Sequence, residues 1–456
     1  MASVNLQQNG RPGLPDGSYL TEVAAPPPVY DPSKKSVRLN DYFENQPESS
    51  CHVRAQDRGD DPDAAQHAVE GPQEKDFQRG RISKPLHTTY VISYLILFSM
   101  VGTLLRVVIE CLTFYPGAPV NTSVLWANVG GSIIMGFLSE DQELFYFEGA
   151  GSTIPRHVRD DPSQRAAHIK AHKKTVPLFI GLTTGFCGSL TSFSTFMRDV
   201  YLALANNLTV PSGPYHQVSL FASESEGLSA SNGGLSFMAI LAVLFTEIGL
   251  SLTGLFLGAH IAISLSRWTP SLPQAWLRRY VDPLSVVLAL LSWILVICLV
   301  ALLPQYHGTI TLWSARAWRG PFLFSLVFAP VGCITRFYVS LKLNSRIIGF
   351  PLGTFAVNTG GTMVLGMVYS IQHSAVNASR LTIGGNIGCE VLQGIMDGFC
   401  GCLTTVSTWV LELSDLRRRH AYIYGSISVA VALCFLVLEI GSVQWSQGLA
   451  TPVCFR

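Results

Sequence analysis

The sequence predicts an all-α integral membrane protein made of two four-helix repeats of opposite orientation, each with a broken third helix, joined by one linker transmembrane helix. Three observations predict it. Apolar stretches of bilayer-spanning length recur along the chain, a series of short motifs occurs twice in the same order, and an odd, unmatched span lies between the two copies.

The spans fall near 88–112, 120–138, 176–204, 236–265, 283–303, 320–340, 350–371, 387–412 and 424–442, nine in all. A bilayer core needs about 17–25 predominantly apolar residues per helix. Only 13% of the 456 residues are charged, against roughly 25% in a soluble domain. The span at 176–204 is the weakest by hydropathy and rests on the repeat. Residues 1–87 are rich in Pro, Gly, Gln, Asp and Ser, too polar to bury a core, and read as a disordered cytoplasmic tail. No cleavable signal peptide is read, since the first apolar run is too long for one. A net charge of +1 gives no electrostatic case for nucleic acid. The ten cysteines form no CxxC pairs, so neither a zinc site nor a disulfide framework is expected.

The repeat is read from four matches. Gly102-x3-Arg106 returns as Gly332-x3-Arg336. Asn128-x-Gly-Gly131 returns as Asn358-x-Gly-Gly361, both 230 residues later. Gly-Phe-Cys-Gly188-Ser-Leu-Thr191 returns as Gly-Phe-Cys-Gly401-Cys-Leu-Thr404, 213 residues later, and Glu247-Ile-Gly returns as Glu439-Ile-Gly. The first repeat is assigned to 88–265, the linker with its single helix to 266–319 and the second repeat to 320–450. Four spans bring a chain back to its starting side, so the linker inverts the second unit, an architecture of many transport proteins. Lys and Arg accumulate in the segments that this topology makes cytoplasmic (75–87, 139–175, 266–282, 341–349 and 413–423), as orientation by positive charge requires. The sequons at Asn121, Asn207 and Asn377 all fall outside, predicting a glycoprotein.

Several residues are candidates for chemistry. The stretch Gly185–Phe196 combines Gly with many Ser and Thr and makes a poor continuous helix. Inside a membrane, freed backbone groups persist only where protein, ion or water satisfies them. Two readings stay open, a broken helix that meets an ion and close packing through Gly181-x3-Gly185 and Gly394-x3-Gly398. Asn128 and Asn358 can offer two N–H donors to an anion or bridge helices. Phe193 and Phe196 share a helical face, and their positive ring edges suit an anion as readily as they suit core packing. Ser194 and Thr195, repeated as Ser407 and Thr408, offer hydroxyls. For Arg106 and Arg336, snorkelling to an interface is the favoured reading. Glu247 and Glu439 are interior carboxylates that a proton-coupled carrier would need, or residues at helix ends. His168 and His172 read as a solvated loop pair. No Ser-His-Asp arrangement, phosphate loop or HExxH is present, so an enzyme is not expected.

Gly-x3-Arg, Asn-x-Gly-Gly and Gly-Phe-Cys-Gly-x-Leu-Thr-x-Phe-Ser-Thr-Phe, in this order, resemble the Fluc/CrcB fluoride channels. The fused nine-span form resembles the eukaryotic fluoride export proteins. The resemblance covers about 88–442 apart from the linker span and the loops at 139–175 and 205–235. It implies two narrow pores between antiparallel halves and a structural sodium ion held by the backbones of Gly188, Thr191, Gly401 and Thr404. It also implies a fluoride path lined by Asn128, Asn358, Phe193, Phe196, Ser194 and Thr195, with Ser407 and Thr408 as counterparts. Asp199 and Glu412 match an acidic position just after the motif. The pattern breaks at Val406 and Trp409, which stand where the second half would carry phenylalanines. This implies that one pore has decayed.

The sequence thus reads as a passive fluoride channel of the plasma membrane, a monomer with an internal pseudo-dimer, partnered by fluoride and the lipid bilayer. A proton-coupled anion carrier using Glu247 or Glu439, or a non-transporting scaffold, are the alternatives.

Overall fold

The computed structural model describes residues 84–115, 118, 120, 122–145, 169–170, 172–208, 233–302, 319–374 and 385–450. The tail before residue 84, His168 and the sequons at Asn121 and Asn377 lie outside the described residues; Asn207 is described and exposed.

The helices follow the apolar stretches. In the first half they are α1 (Lys84–Thr113), α2 (Leu125–Glu140), α3 (Pro177–Ile180, π-wound over Gly181–Cys187, then Gly188–Leu190), α4 (Phe193–Leu204) and α5 (Gly233–Leu265). The linker helix α6 is Gln274–Leu302. In the second half they are α7 (Phe322–Leu343), α8 (Leu352–His373), α9 (Gly385–Gly394, π-wound over Ile395–Cys400, then Gly401–Leu403), α10 (Ser407–Asp415) and α11 (Arg418–Ser446). Among the described residues, six helical runs are long and apolar enough to cross a membrane: α1, α5, α6, α7, the α9–α10 run from Ile387 to Asp415, and α11. The 16 residues of α2 are short for a bilayer, and α8 is diluted by Asn358 and its Gly and Thr residues.

Missing side chains decide how the helices meet. A Cβ on Gly102 would stand 2.6 Å from the Phe186 carbonyl oxygen, and one on Gly332 would overlap the Phe399 carbonyl. So α1 lies on α3, and α7 on α9, at backbone contact. Gly181 and Gly185 receive Tyr94 and Phe98, and Gly394 and Gly398 receive Phe324 and Ser325. These small-x3-small faces therefore pack the third helix of each half onto its first. Gly136 and Gly258 press α2 and α5 together, each so close to a carbonyl (of Leu255 and Ile133) that any Cβ would overlap it.

The carboxyl end of α2 is closed from outside the helix. Lys173 donates to the carbonyls of Leu138, Ser139 and Asp141 at 2.7, 2.7 and 2.6 Å. Three ammonium protons thus meet three carbonyls that the helix end leaves free. Burial pulls Lys173 down to about 8, and the neighbouring Asp141 opposes that shift.

The cysteine expectation needs one correction. Cys389, at the start of the second half's third helix, is disulfide-bonded. Spacing along the chain does not reveal which cysteines the fold brings together.

Glycine substitution tests this packing. Gly258→Ala should destabilise the protein by about 1–3 kcal/mol, the usual cost of overpacking, whereas Gly249→Ala, whose Cβ would meet nothing within 4 Å, should not. Thermal midpoints in detergent measure the difference.

Candidate functional site

The centre of the molecule is where the two third helices break. The chain turns extended at Thr191 (φ −93°, ψ 148°) and Ser192 (φ −139°, ψ 113°), and again at Thr404 (φ −97°, ψ 155°). Each break frees amides and carbonyls in a buried place, where an unpaired polar group costs about 1–3 kcal/mol. The residues around the breaks supply the missing partners.

Asn128 and Asn358 act first. Their side-chain oxygens accept the freed amides of Ser192 and Thr405, both at 2.9 Å. The second glycine of each Asn-x-Gly-Gly motif, Gly131 or Gly361, makes room for the methyl group of Thr191 or Thr404. The asparagine motif is thus a seat for the break. The two asparagines differ in what their amide nitrogens do. Asn358 donates to the Thr405 carbonyl at 3.1 Å, while Asn128 donates to the Glu247 carboxylate at 3.1 Å. Glu247 is buried in mid-helix in α5, so it is not a helix-end residue. Glu439 instead sits in a π-wound turn against Gly366.

The breaks also cap each other across the halves. The Thr191 hydroxyl accepts the Ser407 amide at 3.2 Å and lies 3.1 Å from the Ser407 hydroxyl. The Thr404 hydroxyl accepts the Ser194 amide and meets the Ser194 hydroxyl, both at 3.0 Å. Each threonine thereby caps the helix that follows the other half's break. Thr195 and Thr408 bond within their own turns, to Ser192 at 2.9 Å and Thr405 at 3.5 Å.

The arginines overturn the snorkelling expectation. Arg106 and Arg336 are 0% and 3% exposed. Arg336 donates to the carbonyls of Gly188 at 2.6 Å and Thr184 at 2.5 Å. Arg106 donates to Ser189 at 3.2 Å and to the Asp397 carbonyl. Each guanidinium lies against the opposite half's glycine, Gly401 for Arg106 and Gly188 for Arg336, where a Cβ would overlap it. A planar five-donor group suits several carbonyls at a helix end.

Asp199 and Glu412, which the sequence left without a role, hold the starts of the second helices. Asp199 accepts the Ser123 amide and hydroxyl at 2.8 Å and pairs with Arg198 at 3.0 Å. Glu412 accepts the Thr354 hydroxyl at 2.6 Å and the Tyr424 hydroxyl at 2.7 Å.

Phe193, Phe196 and Trp409 form one buried aromatic cluster beside the crossing. Phe193 meets Phe196 edge-on at 5.7 Å and Trp409 edge-on at 5.2 Å between centroids. Val406 is buried in the same core.

The family model for CrcB-like protein, Camphor Resistance (CrcB), matches residues 93–259 and again 323–441. The chain belongs to the CrcB family. The two matched regions are the two repeats, and the gap between them holds α6. Fluoride export protein 1 of Neurospora crassa is 41% identical over 97% of this chain and 84% of its own length. Fluoride export protein 1 of Candida albicans is 34% identical over 76% of this chain and 78% of its own. The fluoride-specific ion channel FluC of Acinetobacter baylyi is 31% identical over 88% of its length, yet covers only 26% of this chain. No solved structure matches.

The guanidinium contacts are testable. Arg336→Met would strand two buried carbonyls at about 1–3 kcal/mol each, and Arg336→Lys should not restore them because a point charge cannot span both. Both variants should lose monodisperse protein on size exclusion, while exposed Arg346→Met should not.

Proposed function

We propose that this protein is a passive fluoride channel that exports the ion from the cytosol. The crossed helix breaks carry the reading. They bring hydroxyls, carboxamides and aromatic edges together in a buried place between the halves, donor types that a small, strongly hydrated anion requires. The names of the Neurospora, Candida and Acinetobacter relatives supply the substrate. In this reading α2, the α3–α4 run and α8 also cross, giving nine crossings with the amino terminus cytoplasmic. The second unit is inverted by α6, and the protein is a plasma-membrane monomer with an internal pseudo-dimer. Asn128, Asn358, Phe193, Phe196, Ser194, Thr195, Ser407 and Thr408 border the path.

A structural sodium ion fits the breaks. The extended backbones at Thr191 and Thr404 turn their carbonyls out of helical pairing. Gly188 gives one carbonyl lone pair to Arg336 and keeps a second, and Gly401 stands at the matching place of the second repeat. The ion would stitch together carbonyls of both halves. Its test is stability: the thermal midpoint should be higher in sodium than in N-methylglucamine, and equal midpoints would remove sodium from the reading.

The hydrogen bond between Glu247 and Asn128 favours proton-coupled anion transport as the second reading. Fluoride-electrode flux from liposomes with and without a pH gradient separates the two, since a passive channel discharges a fluoride gradient without one. Within the channel reading, Phe193→Ile should lower flux about tenfold, the scale of one aromatic-edge contact. Asn128→Asp should be more severe than Asn358→Asp, because only the former sets a second carboxylate against Glu247.

A further inference from the structure

Trp409 stands where the second half would repeat Phe196, and its sequence reading is a lost ring in a decayed pore. Its surroundings say otherwise. Trp409 is 1% exposed, one of the largest fully buried side chains of the molecule. Its indole N–H is buried and has no hydrogen-bond acceptor among the described residues. Indole nitrogen is a donor only, and a buried tryptophan N–H normally finds a partner. This one lies in the first turn of α10, at the positive end of the helix, beside the crossing of the two breaks. Its ring meets Phe193 at 5.2 Å and 67°. Matching the two repeats carries the Phe193–Trp409 pair onto Val406 and Phe196. One pair keeps two aromatic groups, and the other has lost one.

We infer that the indole N–H of Trp409 is a fluoride ligand, and that the Phe193–Trp409 pair marks the conducting path. The inference rests on the fluoride-channel reading and deepens it. A phenylalanine edge offers a weak quadrupolar contact, whereas an indole offers a full N–H donor in a place shielded from bulk solvent. The substitution at 409 then strengthens anion coordination in one path, while Val406, which has no positive edge, leaves the other path short of a ligand.

The test uses the full chain in liposomes with a fluoride electrode. Trp409→Phe keeps a ring and removes the donor, and it should lower fluoride flux about tenfold or more, the scale of one hydrogen bond to a charged group. Val406→Ala should leave flux within about twofold, since no fluoride contact is removed there. Because Trp409→Phe also opens space, benzothienylalanine placed at position 409 by codon suppression is the second variant. It matches the indole in shape and carries sulfur in place of the N–H. Loss of flux in both variants, with unchanged size-exclusion profiles, supports the assignment. Normal flux with benzothienylalanine overturns it and leaves the N–H directed at the Phe193 ring. A stronger loss in Val406→Ala than in Trp409→Phe overturns the choice of path. A wild-type protein that passes no fluoride would instead sink the channel reading itself.

Discussion

Everything near the centre of this molecule answers one constraint: a helix broken in a buried, apolar place must have each freed amide and carbonyl satisfied by something else. The breaks at Thr191 and Thr404 are met from three directions. A carboxamide comes from the second helix of the same half, a hydroxyl from the break of the opposite half, and a guanidinium from the opposite half's first helix. Two of these three partners cross between the halves. Neither half can therefore complete its own third helix, and their contact is a requirement of hydrogen bonding as well as of packing.

Glycine makes that arrangement physically possible. Gly188 and Gly401 leave the space in which the guanidinium groups lie, and Gly131 and Gly361 leave the space for the threonine methyls. The same backbone proximity brings α1 onto α3 and α7 onto α9. Around this shared arrangement the two halves differ. Asn128 is tied to a carboxylate where Asn358 is tied to a carbonyl, and a salt-bridged Asp199 stands where Glu412 binds only hydroxyls and Asn344.

Much of this was legible in the sequence because it repeats. The order Gly-x3-Arg, Asn-x-Gly-Gly, Gly-Phe-Cys-Gly locates all three parts of each break, and the density of Ser and Thr marks where the helix fails. What stayed hidden is long-range pairing. Arg106 read as a snorkelling residue because its partners, the carbonyls of Ser189 and Asp397, lie 83 and 291 residues away. Backbone acceptors carry no side-chain signature. Asp199 and Glu412 were visible as an acidic position, but Ser123 and Thr354 gave no sign of needing one. The Cys389 disulfide is hidden for the same reason.

The crossing also constrains how an ion could be received. Thr191, Ser194, Thr404 and Ser407 already use their hydroxyl oxygens as acceptors or contacts for one another. A hydroxyl carries one rotatable proton and two lone pairs, so it can keep accepting an amide while its proton turns towards a passing anion. The Thr191 and Thr404 hydroxyls also donate to the Cys187 and Cys400 carbonyls, both at 3.0 Å, so the amide caps hold the oxygens still while each proton has a resting partner in its own helix. A scaffold built this way can turn a hydroxyl proton from that carbonyl to a small anion without releasing the amide the oxygen caps. Burial makes each such donor count for more than it would in water, and an anion with little room for its own hydration shell depends on every one of them.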